Sequence, residues 1–324
     1  MPHRIASLLP SATEIVCALG ARAELVGVSH ECDFPLGVEG LPVLTRARLR
    51  PLRTSREIDA DVRLVLQDAL AVYEIDLERL REARADVIVT QDLCDVCAVS
   101  LDDVRAAVAR LGVEGVRIVN LHPTRLEDIW ADIERVAVAL RRGVDGARVV
   151  GGLRSRAEAI AARASQVTAR PLVLAVEWLD PIMVAGMWMP ELAALAGGTM
   201  MVTHPGEHAP TLSLDALRAL DPDVVVVKPC GFSLDRTLEE VSVLKENLPW
   251  NDWRCVREGR VYVADGNAFF NRPGPRIVES LEILAGCVHP EVFGDFRRAH
   301  RDAVVRLDAK IARHPFEQEA KGAL

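Results

Sequence analysis

The run Asp223-Val224-Val225-Val226-Val227 most constrains what this chain can become. Four consecutive β-branched residues have no polar face to give to water. They suit a strand covered on both sides, as in a parallel sheet flanked by helices. Asp86-Val87-Ile88-Val89-Thr90 has the same character. Further strands are expected near 4–8, 25–29 and 116–120 in the first half, and near 172–177 and 260–264 in the second. With 86–90 and 223–228 they alternate with helical stretches, the pattern of an α/β chain with open parallel sheets. At 324 residues the chain exceeds one typical core and suits two lobes.

Between the two halves, Asp145–Thr168 contains no proline. Val150, Leu153, Ala157, Ile160 and Ala164 recur at helical spacing within it. A helix of that length spans about 36 Å. Its place in the chain suggests a stiff connector, although one more covering helix would show the same periodicity. The expected division is therefore 1–144 as an N-terminal lobe, 145–168 as a connecting backbone helix, 169–290 as a C-terminal lobe and 291–324 as a mixed-charge helical tail. Ser11-Ala12-Thr13-Glu14 reads as a capping box opening a helix that runs to Leu19 and stops at Gly20. Ser100, Thr124 and Ser233 are further N-cap candidates.

The formal net charge is -8 and the basic residues are scattered, which argues against nucleic acid as a partner. The opening Met1-Pro2-His3-Arg4-Ile5-Ala6-Ser7-Leu8-Leu9-Pro10 lacks the apolar core and cleavage site of a secretory signal, and no apolar run approaches a membrane span. The expected location is cytoplasmic. Seven cysteines, an odd number, then argue for thiols or metal ligands over a disulfide framework.

Ligands of open parallel sheets bind beyond the carboxyl ends of the strands. The chemically unusual tracts of this chain follow its expected strands. They include Ser7 to Ser11, His30-Glu31-Cys32-Asp33-Phe34-Pro35, Gln91 to Cys97, Glu177-Trp178-Leu179-Asp180-Pro181, Lys228-Pro229-Cys230-Gly231-Phe232 and Gly266 to Arg276. Aromatics form only 4% of the chain, yet Trp178, Trp188, Phe232, Phe269 and Phe270 fall in or near these tracts. Flat apolar surface there suits a large planar or macrocyclic ligand; ordinary core at the lobe tops is the plainer alternative. The candidate ligand-binding residues are Ser11, His30, Glu31, Glu177, Trp178, Trp188, Phe232, Phe269, Phe270, Asn271 and Arg272.

Cys32, Cys94, Cys97 and Cys230 also follow strands. Converging thiolates there would suit zinc, an iron–sulfur cluster or the metal of a bound chelate, with His30 able to replace one of them. Four buried, inert thiols are the alternative. Cys17 reads as core, and Cys255 and Cys287 have no supporting neighbours. No nucleophile elbow, Walker loop or His-Glu-x-x-His motif is present, so no catalytic residue is assigned. Glu177 and His30 fit hydrogen bonding better than acid–base work. His204 and His208 read as solvated loop residues.

Ala6-Ser7-Leu8-Leu9-Pro10-Ser11-Ala12-Thr13-Glu14 resembles the opening of substrate-binding proteins of the cobalamin and iron-siderophore type. Leu25-Val26-Gly27-Val28-Ser29, Asp221-Pro222-Asp223-Val224-Val225-Val226 and Gly259-Arg260-Val261-Tyr262-Val263 follow in matching kind and order. With His30-Glu31-Cys32-Asp33 and Asn271-Arg272-Pro273-Gly274-Pro275-Arg276, the pattern looks most like the signal-less branch described as cobalamin-binding proteins. The resemblance runs from about Arg4 to Val288. It implies two Rossmann-like lobes joined by a long backbone helix, the class III periplasmic-binding-protein-like arrangement, with a corrinoid or other metal chelate held in the interlobe cleft. The leading expectation is a binding protein for cobalamin or a related corrinoid. The alternatives are a cysteine-ligated metal or iron–sulfur protein with a redox or enzymatic role, and an ABC-importer substrate-binding protein whose leader is absent. The opening tract argues against an importer partner.

Overall fold

The computed structural model describes residues 2–48, 54–67, 73–92, 101–112 and 115–307. The chain divides into two compact units. One comprises Met1–Ala159 with Pro205–Glu207 and Arg272–Glu279, and the other Ile160–His204 with His208–Asn271 and Ser280–Leu324.

The first unit contains the strands β1 (Ile5–Ser7), β2 (Leu25–Val28), β3 (Thr45–Ala47), β4 (Tyr73–Ile75), β5 (Val87–Gln91) and β6 (Arg117–Leu121). Four of them form a parallel sheet in the order β2-β1-β5-β6. Every residue of β1 and β5 is buried, as the apolar runs require of central strands covered on both faces. Ala6, Leu8, Leu44, Ile88 and Val104 are at the heart of one apolar cluster on this sheet. Strands β3 and β4 form a separate antiparallel ribbon. At three residues each they are too short to announce themselves in the sequence, and they matter because they carry Thr45 and Tyr73 to the end of β2.

The second unit contains β7 (Leu172–Leu179), β8 (Ile182–Val184), β9 (Thr199–Met200), β10 (Val224–Val227), β11 (Val261–Ala264) and β12 (Val304–Arg306). Strand β7 pairs in parallel with β10. It also pairs with β9 along its first residues and with β8, antiparallel, along its last. Val224 through Val227 are all 0% exposed, so the run is covered on both faces.

A 23-residue helix, Gly143–Ser165, occupies the expected connector position, and the division between the units falls within it. Its five expected apolar positions are buried. Gly146 costs helix propensity of about 1 kcal/mol, but a Cβ there would stand 2.5 Å from the Ala137 Cβ, so close helix packing explains it. Among the described residues, no helix is long and apolar enough to cross a membrane.

Three expectations need correction. The first helix spans Pro10–Ala18 with Leu9 as its N-cap and no side-chain cap, so Ser11 and Glu14 are not a capping box. Proline at the first helical position shifts the start upstream, and Glu14 is claimed by arginines instead. The segment after Val288 is not one helix either. A short helix, Gly294–Ala299, is followed by β12, which pairs antiparallel with β11 and covers that edge of the sheet. Residues 308–324 lie outside the described residues, as does Ser100. Ser233 is an N-cap as expected, accepting the Arg236 N–H, whereas Thr124 precedes the cap at Arg125.

Candidate functional site

Polar groups gather at the carboxyl ends of the strands in each unit. In the first, the turn after β2 carries Ser29, His30, Glu31 and Cys32. The Thr45 hydroxyl donates to Ser29 Oγ at 3.0 Å and stands 2.7 Å from His30 Nδ1. That network assigns the proton to Nδ1 and leaves Nε2 as a lone pair. Burial pushes the His30 pKa below its usual value, which favours the neutral ring, against the opposing pull of Glu31. Tyr73 donates to Glu31 Oε1 at 2.8 Å, and its ring meets that of His30 edge-on at 5.0 Å. Tyr73 has no signal in the sequence, because only the β3–β4 ribbon brings it across 42 residues.

Near this surface lies an ionic cluster around the buried Glu14. Glu14 is 3% exposed. It accepts from Arg276 Nε at 2.9 Å and Nη2 at 2.6 Å, and from Arg272 Nη1 at 3.4 Å. Arg272 is 6% exposed and forks onto Asp33, with Nη2 to Oδ2 at 2.9 Å. The Arg276 guanidinium covers the Phe34 ring at 4.0 Å. Arg272, expected at the ligand surface, thus has its guanidinium held by two carboxylates. Ser11 is 2% exposed, and its Oγ has no hydrogen-bond partner among the described residues.

Cys32 lies just inward. The Thr13 hydroxyl donates to Ser7 Oγ at 2.7 Å and is 3.1 Å from Cys32 Sγ. Burial pushes this thiol up to about 11. Cys94 and Cys97 lie outside the described residues. Among the described residues, no group of three or more His, Cys, Asp and Glu side chains is placed to hold a metal ion.

In the second unit, β7 is interrupted near its end. Val176 pairs with Val184 and Trp178 with Met183, so Glu177 is the extra residue of a bulge. Bulges re-aim the side chains they carry. Glu177 meets Lys228, the residue directly after the valine run of β10, with Nζ to Oε2 at 3.0 Å. Lys228 is 1% exposed and also donates to Asn271 Oδ1 at 2.7 Å. Asn271 is fixed in turn by donating from Nδ2 to the carbonyls of Lys228 at 3.1 Å and Gly266 at 2.8 Å. Position 266 must be glycine for this approach, since a Cβ would stand 2.0 Å from the Pro229 carbonyl oxygen. A lysine directly after an apolar strand was the signal that Lys228 belongs to this set.

Trp178 is half-buried and packs on Phe232, itself only 6% exposed, with ring centroids 5.3 Å apart. Arg236 covers the Phe232 ring at 4.5 Å. Trp188 is buried and donates its indole N–H to the Phe270 carbonyl at 2.9 Å, and Phe270 is 0% exposed. Phe269 is half-buried and meets the His300 ring at 6.2 Å. Cys230 is partly exposed, and its backbone N–H donates to the Glu177 carbonyl at 3.1 Å.

A family model described as periplasmic binding protein matches residues 5–268. The chain belongs to the periplasmic binding protein family. The fold of this family member is an α/β two-lobe one with parallel sheets. A curated relative is an uncharacterised ABC transporter substrate-binding lipoprotein, YvrC, of Bacillus subtilis (strain 168). It is 20% identical over 298 residues, covering 90% of this chain and 82% of the relative. Among solved structures, a periplasmic heme binding protein from Pseudomonas aeruginosa matches with a TM-score of 0.66 at 22% identity, over 90% of this chain and 94% of that one. The periplasmic vitamin B12 binding protein BtuF of Vibrio cholerae matches with a TM-score of 0.62 at 18% identity, over 92% and 99%. Identities this low establish the fold alone.

Proposed function

We propose that this family member binds a corrinoid, cobalamin or a close relative, or a similar planar metal chelate. The observation that carries the reading is the Trp178–Phe232 pair beside Glu177 at the end of β7. It sets the half-buried Trp178 ring, backed by the buried Phe232, next to a fixed polar group in a chain poor in aromatics, the composition of a site for a large planar ligand. The proteins of similar fold described as binding heme and vitamin B12 support it. In unit 1, His30, Glu31 and Tyr73 offer a neutral imidazole and a hydrogen-bonded carboxylate to a ligand or its metal. Trp188 and Phe270, buried and joined by a hydrogen bond, are assigned to packing rather than to the ligand surface.

A second reading, an ABC-importer receptor carrying the same ligand, is favoured by the Bacillus lipoprotein relative over a free cytoplasmic binder. A thiol-held zinc or iron–sulfur centre has less behind it, because among the described residues no group of three or more His, Cys, Asp and Glu side chains is placed to hold a metal ion. Titration with cyanocobalamin, followed by tryptophan fluorescence, tests the main reading. Saturable quenching is expected, and a flat titration at millimolar ligand would overturn it.

A further inference from the structure

At the strand ends of the second unit, the cations are engaged and one carboxylate edge is not. Lys228 is 1% exposed and divided between Glu177 and Asn271. Arg236 lies over Phe232 and pairs with Glu239 at 3.5 Å and with Glu240. Glu177 uses only Oε2 for Lys228, and its side chain remains 25% exposed. The bulge that turns Glu177 out of the regular ladder, the buried lysine that holds it and the asparagine that holds the lysine form one built arrangement. A buried ammonium needs such acceptors, because an unpaired one would cost several kcal/mol. A consequence is that this end presents a fixed anionic acceptor beside an aromatic face, with no free ammonium next to it.

Such a surface discriminates among chelates by their edges. A ligand bearing primary amides can donate N–H to Glu177 Oε1, a charge-assisted bond. A ligand bearing carboxylates brings like charge against Glu177, and the lysine that would answer it is already paired. We infer that Glu177, oriented by Lys228 and Asn271, is a specificity-determining residue that selects chelates with an amide-bearing edge over those with a carboxylate-bearing edge. The inference rests on the chelate-binding reading and narrows it to the corrinoid class, against tetrapyrroles that carry propionates.

Two corrinoids isolate the effect. Dicyanocobinamide carries the side-chain amides, and dicyanocobyrinic acid carries carboxylates on the same ring around the same metal. Both are titrated into the parent, Glu177→Gln and the double variant Glu177→Gln with Lys228→Met, with melting curves confirming that each is folded. The double variant removes the charge that Glu177→Gln alone would leave buried and unpaired. The parent is expected to bind the amide form at least roughly tenfold tighter, the scale of a hydrogen bond to a charged group. That preference should fall at least roughly fivefold in Glu177→Gln and approach parity in the double variant. A parent that prefers the carboxylate form, or a preference unchanged in both variants, overturns the inference while leaving the chelate reading intact. Failure of both corrinoids to bind the parent overturns the chelate reading, and the inference with it.

Discussion

Both units place a buried cation against carboxylates near their strand ends, but they do so differently. In the first, Glu14 is 3% exposed and takes hydrogen bonds from both Arg272 and Arg276, while Asp33 takes the fork of Arg272. In the second, the fully buried partner is the cation, Lys228, and its carboxylate Glu177 keeps an exposed edge. In the first cluster the exposed member, Asp33 at 50%, has both oxygens taken by the Arg272 fork, so the cluster acts on stability. In the second, Lys228 takes only one oxygen of Glu177, and the other can act on binding. Proximity of charged residues to strand ends therefore does not by itself mark a site; an acceptor left over does.

The largest effect should come from breaking the cluster around Glu14. Glu14→Ala leaves two buried or half-buried guanidinia short of their shared acceptor and should destabilise the protein by about 3–5 kcal/mol. Urea unfolding measures it. Lys228→Met should cost less, about 1–2 kcal/mol, because Glu177 can turn its freed oxygen to water. Equal losses in the two variants would erase the distinction between the clusters.

Asp132 sharpens the comparison within the first unit. It is 1% exposed, accepts the His122 N–H at 3.2 Å and pairs with Arg135. Desolvation raises its pKa from 3.8 to about 6, with Arg135 the main opposing influence. A carboxyl that holds its proton more tightly when folded stabilises the protein most below the unfolded pKa. That stability is lost as pH rises from about 4 to 6. Asp132→Asn should therefore raise stability above pH 6 by about 1–3 kcal/mol, and the gain should vanish near pH 4. Melting curves at pH 4 and 7.5 that show the same difference would contradict this.

The smallest effect is kinetic. With its thiol pushed up to about 11, Cys32 should react with a maleimide far more slowly at pH 7 than the partly exposed Cys230. Peptide mapping after brief labelling distinguishes them. Modification of Cys32 first would mean that its pocket opens readily.

Much of the fold was legible because it rests on local pattern. The valine run of β10 lies within one residue of its expected ends at each side, and the long helix is displaced by two or three residues. The features that escaped are long-range. Glu14 looks like a capping residue until Arg272, 258 positions away, is seen to bond it. Strand β12 is a three-residue edge strand with an arginine in it, stabilised only by β11. At the site, Glu177, Trp178, Phe232 and Asn271 were legible as unusual residues after strands. The roles of Lys228 and Tyr73 depend on which elements become neighbours, and periodicity carries no record of that. For the same reason Trp188 and Trp178 look alike in sequence, although one donates into the core and the other remains half-buried.

Calorimetric titration of cyanocobalamin into the parent, Trp178→Ala and Trp253→Phe tests most directly whether the end of β7 contacts the ligand. Trp253 is 2% exposed and serves as the control. Binding should weaken by about 1–3 kcal/mol in Trp178→Ala and stay at the parent value in Trp253→Phe. Equal affinity in all three proteins would contradict the account.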